Sequence, residues 1–184
     1  MPARADVKVW DPVVRTTHWL LVFGVVSAWL TRHAAGSWHE WLGYGALAVI
    51  AIRFVWGLRG PPHARFAQFI RSPTETLRYA RQVLAGHEPR YLGHNPLGGW
   101  MIVALLLDVA LVGASGWLYT TDAFWGVEWV ERVHSLLADS LLVLAALHVS
   151  GVVFSSWRHR ENLLIAMLHG RKRAPEQRPD LAGD

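Results

Sequence analysis

Hydrophobic positions in this chain gather into four long runs, roughly Pro12–Leu30, Trp41–Leu58, Pro96–Thr120 and Leu136–Phe154. Each approaches the ~20 residues that a helix needs to cross the hydrocarbon core of a bilayer. A helix satisfies its backbone groups internally, so it is the expected conformation there. Membrane strands would need alternating segments of about ten residues, a pattern these runs do not follow. Between the second and third runs the pattern changes. Ser72-Pro73-Thr74-Glu75 supplies an N-cap serine, a proline at the first helical position and a glutamate at the third. Leu77, Ala80 and Leu84 follow at helical spacing and Gly86 can end the helix, so a short amphipathic helix lying on the membrane face is predicted. A second short helix is predicted from Glu161 to His169. The expected fold class is all-α: an integral membrane four-helix bundle with antiparallel up-down spans and short interfacial helices. Residues 1–170 form one four-span domain in this reading, and residues 171–184 a flexible basic tail.

Charge orients the spans. Arg4, Lys8 and Arg15 precede or open the first run; Arg59, Arg65, Arg71, Arg78, Arg81 and Arg90 fill the middle loop; Arg158, Arg160, Arg171, Lys172, Arg173 and Arg178 crowd the C-terminal end. The two remaining loops carry only Arg32 and Arg132. The positive-inside rule then places both termini and the middle loop in the cytoplasm. The same distribution accounts for a pI near 10.0 without nucleic acid as a partner. The second outer loop is expected to hold Trp117, Trp125 and Trp129 with Asp122, Glu128 and Glu131, an aromatic belt at the outer interface. The absence of cysteine excludes disulfides, iron–sulfur clusters, thiolate zinc sites and a covalently attached haem. No cleavable leader is expected at the start of the chain.

Ten histidines are the chemistry this composition offers. His33, His63, His87, His94, His159 and His169 lie in loops or near interfaces and read as solvated or capping residues. His18, His39, His134 and His148 lie in or at the ends of apolar runs, where ionisable groups are costly and usually functional. His134 and His148 are fourteen residues apart, a rotation within about 40° of four full turns and a rise of about 21 Å, so they share a helix face at two depths. In an antiparallel bundle His39 lies level with His134, and His18 level with His148. Each pair can supply two axial imidazoles to one iron. Ordinary hydrogen-bonded bundle histidines or a proton relay are the alternatives; zinc fits less well, since two ligands per level leave a tetrahedral set unfilled. Gly43, Gly45, Gly113, Gly116 and Gly151 could admit a flat cofactor or simply close helix packing. Arg53 follows His39 by fourteen residues and therefore lies on the same face at the inner level, where it would either meet a haem propionate or snorkel to the surface. Asp108, mid-span, has no partner that the sequence names, and Asp139 lies about one turn below His134.

These residues resemble the bacterial cytochrome b561 and nickel–iron hydrogenase b-type cytochrome group. The resemblance rests on Val9-Trp10-Asp11-Pro12…Arg15…His18-Trp19, His39-Glu40-Trp41-Leu42-Gly43-Tyr44, Gly60-Pro61…His63-Ala64-Arg65-Phe66, Gly93-His94-Asn95-Pro96…Gly98-Gly99, the His134…His148 spacing and His159-Arg160-Glu161-Asn162. It implies two non-covalent b-type haems held by His18, His39, His134 and His148, and electron exchange between quinone and a redox partner such as a c-type cytochrome or a dehydrogenase. His63, His94 and Arg65 are candidates for a quinone site. Two other classes stand beside this reading: a membrane-anchor cytochrome subunit of a larger oxidoreductase such as a hydrogenase, and a haem-free transporter or scaffold.

Overall fold

The computed structural model describes residues 6–34 and 36–174. In chain order it contains β1 (Asp6–Lys8), α1 (Pro12–Thr31), α2 (Trp38–Arg59), a 3-10 turn (Pro62–Ala64), α3 (Phe66–Phe69), α4 (Pro73–Leu84), α5 (Pro96–Tyr119), α6 (Glu128–Arg158), α7 (Leu163–His169) and β2 (Arg171–Arg173). Helices α1, α2, α5 and α6 are the four long and apolar enough to span a membrane.

The helices start where local chemistry dictates. Asp11 accepts from the Val13 and Val14 amides with Pro12 at the first position of α1. Asn95 accepts from the Gly98 amide with Pro96 opening α5. Ser72 and Glu75 form the predicted capping box of α4. Each satisfies amide donors that the first turn would otherwise leave open. Asn162 caps α7, and Gly170 ends it in the left-handed conformation at φ 79°.

The last span is longer than the hydrophobic run predicted. It begins at Glu128 and spans 31 residues, roughly 46 Å against a hydrocarbon core of about 30 Å. Its first turns therefore extend beyond the core, with Glu128 and Glu131 at the positive end of the helix dipole. Trp129, Glu128 and Glu131 thus belong to α6 rather than to a loop, and His134 sits inside an established helix.

Close packing joins α1 to α2, α2 to α5, and α5 to α6. Large apolar side chains such as Phe23, Leu30, Phe54, Leu136 and Val153 remain more than half exposed on the outside of this bundle, the surface that lipid covers. The tightest core lies instead at the end where α1 starts and α6 finishes, hereafter the terminal face. There Val9, Trp10, Val14 and Ala64 are buried against Trp56 and Met167. The Trp56 indole donates to Asp11 Oδ1 at 3.0 Å, so the residue that caps α1 also ties α1 to α2.

One element lies outside the helical pattern. β1 and β2 pair antiparallel, with Val7 opposite Lys172. The Gly170 carbonyl accepts from the Val9 and Trp10 amides at 2.9 and 3.1 Å, extending the join. The first three residues of the segment expected to be a flexible tail are therefore built into the fold, and Lys172 is buried. The rest of that segment, from residue 175, lies outside the described residues. Charged residues have weak strand preference, so only a long-range pairing could reveal this strand. Arg90 holds the corner, bridging Glu161 at 2.8 Å and the Arg173 carbonyl at 2.7 Å. On α4 the buried residue is Tyr79, while Leu77 and Leu84 stay uncovered, as suits a helix whose apolar side meets the bilayer surface.

Candidate functional site: two imidazole pairs across the bundle

The four spanning histidines come together in pairs, as helical geometry required. His39 on α2 faces His134 on α6 with ring centroids 6.0 Å apart and planes at 88°. His18 on α1 faces His148 on α6 at 6.5 Å and 54°. About 2.0 Å from a metal to an imidazole nitrogen, plus about 1.1 Å from that nitrogen to the ring centre, puts two rings sharing one metal about 6.2 Å apart. A direct ring-to-ring hydrogen bond would bring the centroids to about 5.1 Å. Both pairs have the wider spacing. Among the described residues no cluster of three or more His, Cys, Asp or Glu could hold a metal, so each level offers two nitrogens and no tetrahedral set.

The two levels differ in how their rings are held. His39 Nδ1 lies 2.8 Å from the Ala28 carbonyl of α1. His134 Nδ1 lies 3.1 Å from the Val112 carbonyl of α5 and 3.1 Å from Ser115 Oγ. A carbonyl can only accept, so Nδ1 carries the proton in both rings and Nε2 keeps its lone pair, the arrangement that presents a histidine to a metal. At the other level His18 Nδ1 is buried without a partner. These carbonyl partners were invisible in the sequence, because a backbone oxygen carries no residue-type signal.

The glycines divide by what surrounds them. A Cβ on Gly113 would strike Leu47 at 2.6 Å, and one on Gly116 would sit 3.0 Å from His134 Cε1, so both serve close packing. A Cβ on Gly43, Gly45 or Gly151 would meet nothing within 4 Å, and Gly45 and Gly151 are exposed. Gly24, which the sequence did not single out, is buried and yet equally open. It lies one turn from Ala28 toward His18, between the two imidazole levels. Helix α6 is not closely packed on α1 or α2 but approaches them through the imidazoles. Paired rings at iron spacing, with the tautomer fixed at the His39–His134 level, fit a bis-imidazole cofactor.

Arg53 does not reach out to solvent. It is only 5% exposed, donates through Nη2 to the Ala64 carbonyl at 3.2 Å, and leaves Nη1 buried without a partner. Its guanidinium lies 5.2 Å from the Phe66 ring. Asp108 is buried on α5, and its two oxygens each lie 3.1 Å from Ser140 Oγ on α6, which donates to the carboxylate. Asp139 is exposed. Of the loop residues, Arg65 turns back to the Gly60 carbonyl at 2.7 Å, and His63 is half-buried near Gly93. His94 lies between Trp10 and Phe69, with centroids 4.5 and 4.8 Å away and planes tilted by 42° and 64°, and its Nδ1 is sealed and unpaired.

The model of the prokaryotic cytochrome b561 family matches residues 9–170. The chain is also 21% identical over 216 residues to a probable Ni/Fe-hydrogenase B-type cytochrome subunit of Bradyrhizobium diazoefficiens, covering 92% of this chain and 87% of that protein. No solved structure matches the chain significantly. With four spanning helices and a family match over nearly its whole length, the chain belongs to the prokaryotic cytochrome b561 family and is a multi-pass b-type cytochrome.

Proposed function

We propose that the protein carries electrons across the bacterial inner membrane between the quinone pool and a redox partner, through two haems b each held by two histidines. The observation that carries this reading is the pair of imidazole spacings, 6.0 and 6.5 Å, at two depths of one bundle. His39 and His134 hold the haem farther from the terminal face, and His18 and His148 the nearer one. Haems held there by two histidines each would supply one-electron redox chemistry, which suits electron transfer rather than oxygen activation. The chain's own part is to orient the rings, keep the site dry and set the potentials. The Ala28 and Val112 carbonyls orient the outer imidazoles; Arg53, with its free Nη1, is positioned to pair with a propionate of the inner haem. The concentration of Arg and Lys at the terminal face supports a cytoplasmic location for that face.

The test is the reduced-minus-oxidised spectrum and haem content of the purified protein. A b-type α band with two haems per chain is expected; absence of the band would sink the reading. The likeness to a probable hydrogenase cytochrome subunit favours a second reading, in which the chain anchors a larger oxidoreductase and delivers its electrons to quinone. Co-purification of a redox enzyme after mild solubilisation would support that version.

A further inference from the structure

Buried side-chain polar atoms without partners fall on one side of the molecule. Among the described residues they are Arg15 Nε, His18 Nδ1, Trp19 Nε1, Arg53 Nη1, His94 Nδ1 and Glu88 Oε2, all in the half of the bundle toward the terminal face. All but Glu88 are nitrogens able to donate a hydrogen bond. Two buried cations belong to the same region. Arg53 is 5% and Lys172 6% exposed; Lys172 Nζ lies 3.5 Å from the Tyr91 carbonyl and feels Glu161 from farther away, but among the described residues neither cation has a carboxylate within ion-pair distance. Buried cations and unused donors cost free energy unless an anion meets them.

A continuous aromatic wall connects these groups. Arg53 lies over Phe66, Phe66 contacts Phe69, Phe69 contacts His94, His94 contacts Trp10, and Lys172 Nζ lies 5.7 Å from the Trp10 ring. The His94 imidazole is pushed down to about 3, by burial first and then by Lys172, Arg53, His148 and His63, so it is neutral and its surroundings are already positive. Lys172 reaches this place because strand alternation turns it inward, while its neighbour Arg171 faces out.

We propose that Arg53, His94 and Lys172 form a buried cradle for a carboxylate, the propionate of the haem between His18 and His148, and that the β1–β2 ribbon closes the cradle by delivering Lys172. The proposal rests on the di-haem reading above and adds to it His94, Lys172 and the strand that follows α7. A cation in the cradle favours the reduced, more negative iron, so it raises that haem's potential and leaves the distant haem alone.

The test is an optical redox titration of the purified holoprotein, with the inner haem identified as the wave lost in His148→Ala. Lys172→Met should raise the oxidised-to-reduced ratio of the inner haem about tenfold at a fixed ambient potential, which is about 59 mV for a one-electron couple. The outer wave should stay in place, and Lys172→Arg should restore the inner one. His94→Leu should move the same wave, and His94→Gln, which keeps a donor, should move it less. Should Lys172→Met fail to fold, the two His94 variants read the same contrast. Two haems at full occupancy with neither wave moved, or both waves moved equally, would overturn the cradle while leaving the di-haem reading intact. A wild-type protein with one haem would overturn the di-haem reading itself. If the anion comes from solution, the wild-type inner potential will follow an exchange of chloride for phosphate at constant ionic strength, and the propionate assignment fails.

Discussion

His39 and His134 face each other from different helices, 6.0 Å apart, and each is bonded at Nδ1 to the carbonyl of a third helix: Ala28 of α1 for one, Val112 of α5 for the other. One imidazole pair thus gathers all four spans around a single point. The pair 21 Å or so deeper, His18 and His148, lacks such anchors and sits instead among unpaired donors and buried cations. The two levels are alike in residue type and different in surroundings, a difference able to separate the potentials of the two proposed haems.

The pairing predicts which haem each histidine controls. His148→Ala or His18→Ala should lower haem content from two per chain to one, and His134→Ala or His39→Ala should remove the other. Haem quantification with redox titration checks this. Full occupancy after a single substitution would mean the pairs are drawn wrongly.

Gly116 packs against the His134 ring, with a Cβ position 3.0 Å from Cε1. Gly116→Val should displace that ring and shift the spectrum or potential of the outer haem alone. Gly45→Ala, at a position with open space, should have no such effect. Low-temperature spectra of the reduced proteins separate the two cases.

Ser140 and Asp108 join α6 to α5 in mid-span. Hydrogen bonds between membrane helices contribute about 0.6 kcal/mol on average. Ser140→Ala should therefore lower stability in detergent only slightly. Unfolding of the variant and the wild type in the same detergent measures this.

Glu161 supplies the pH dependence of the terminal face. Burial works to raise its carboxyl, but Arg90, Lys172 and the Arg173 amide outweigh burial and hold it below its usual range. A depressed carboxylate stabilises the fold above its unfolded pKa, and that contribution is lost as pH falls through the folded value. Glu161→Gln should cost about 2 kcal/mol near neutral pH, the range for a charge-assisted hydrogen bond. The gap between variant and wild type should close as the pH falls below about 4. Thermal melts across pH 3–7 test it, and a gap that persists in acid would contradict the assignment.

Gly170 turns the chain from α7 into β2 at φ 79°, with the Trp10 carbonyl against the position of a side chain. Gly170→Val should loosen the ribbon and expose Lys172, making the segment after α7 sensitive to trypsin in folded protein. Limited proteolysis reads the outcome directly.

Much of this architecture could be read from local pattern. Span length follows from the thickness of a bilayer, so α1, α2 and α5 appear within a few residues of the apolar runs. The caps at Asp11, Ser72 and Asn95 depend on side chains within one turn of the amides they satisfy. The histidine pairs were legible too, because fourteen residues on a 3.6-residue helix return nearly to the same face and an antiparallel bundle sets the levels. The start of α6 was not, since Glu128 and Glu131 continue a helix beyond the apolar run. Nothing local distinguishes His94, packed against Trp10 and Phe69, from a solvated loop histidine, or Lys172 from a residue of a tail. Hydropathy, helical period and capping act between near neighbours in the chain, and they specified four spans and two imidazole levels. The Ala28 and Val112 acceptors, the Ser140 partner of Asp108, and the ribbon that buries Lys172 beside Trp10 join residues far apart in sequence. Those arise only when the bundle closes, because backbone carbonyls look alike in every sequence and a lysine's burial depends on what folds over it.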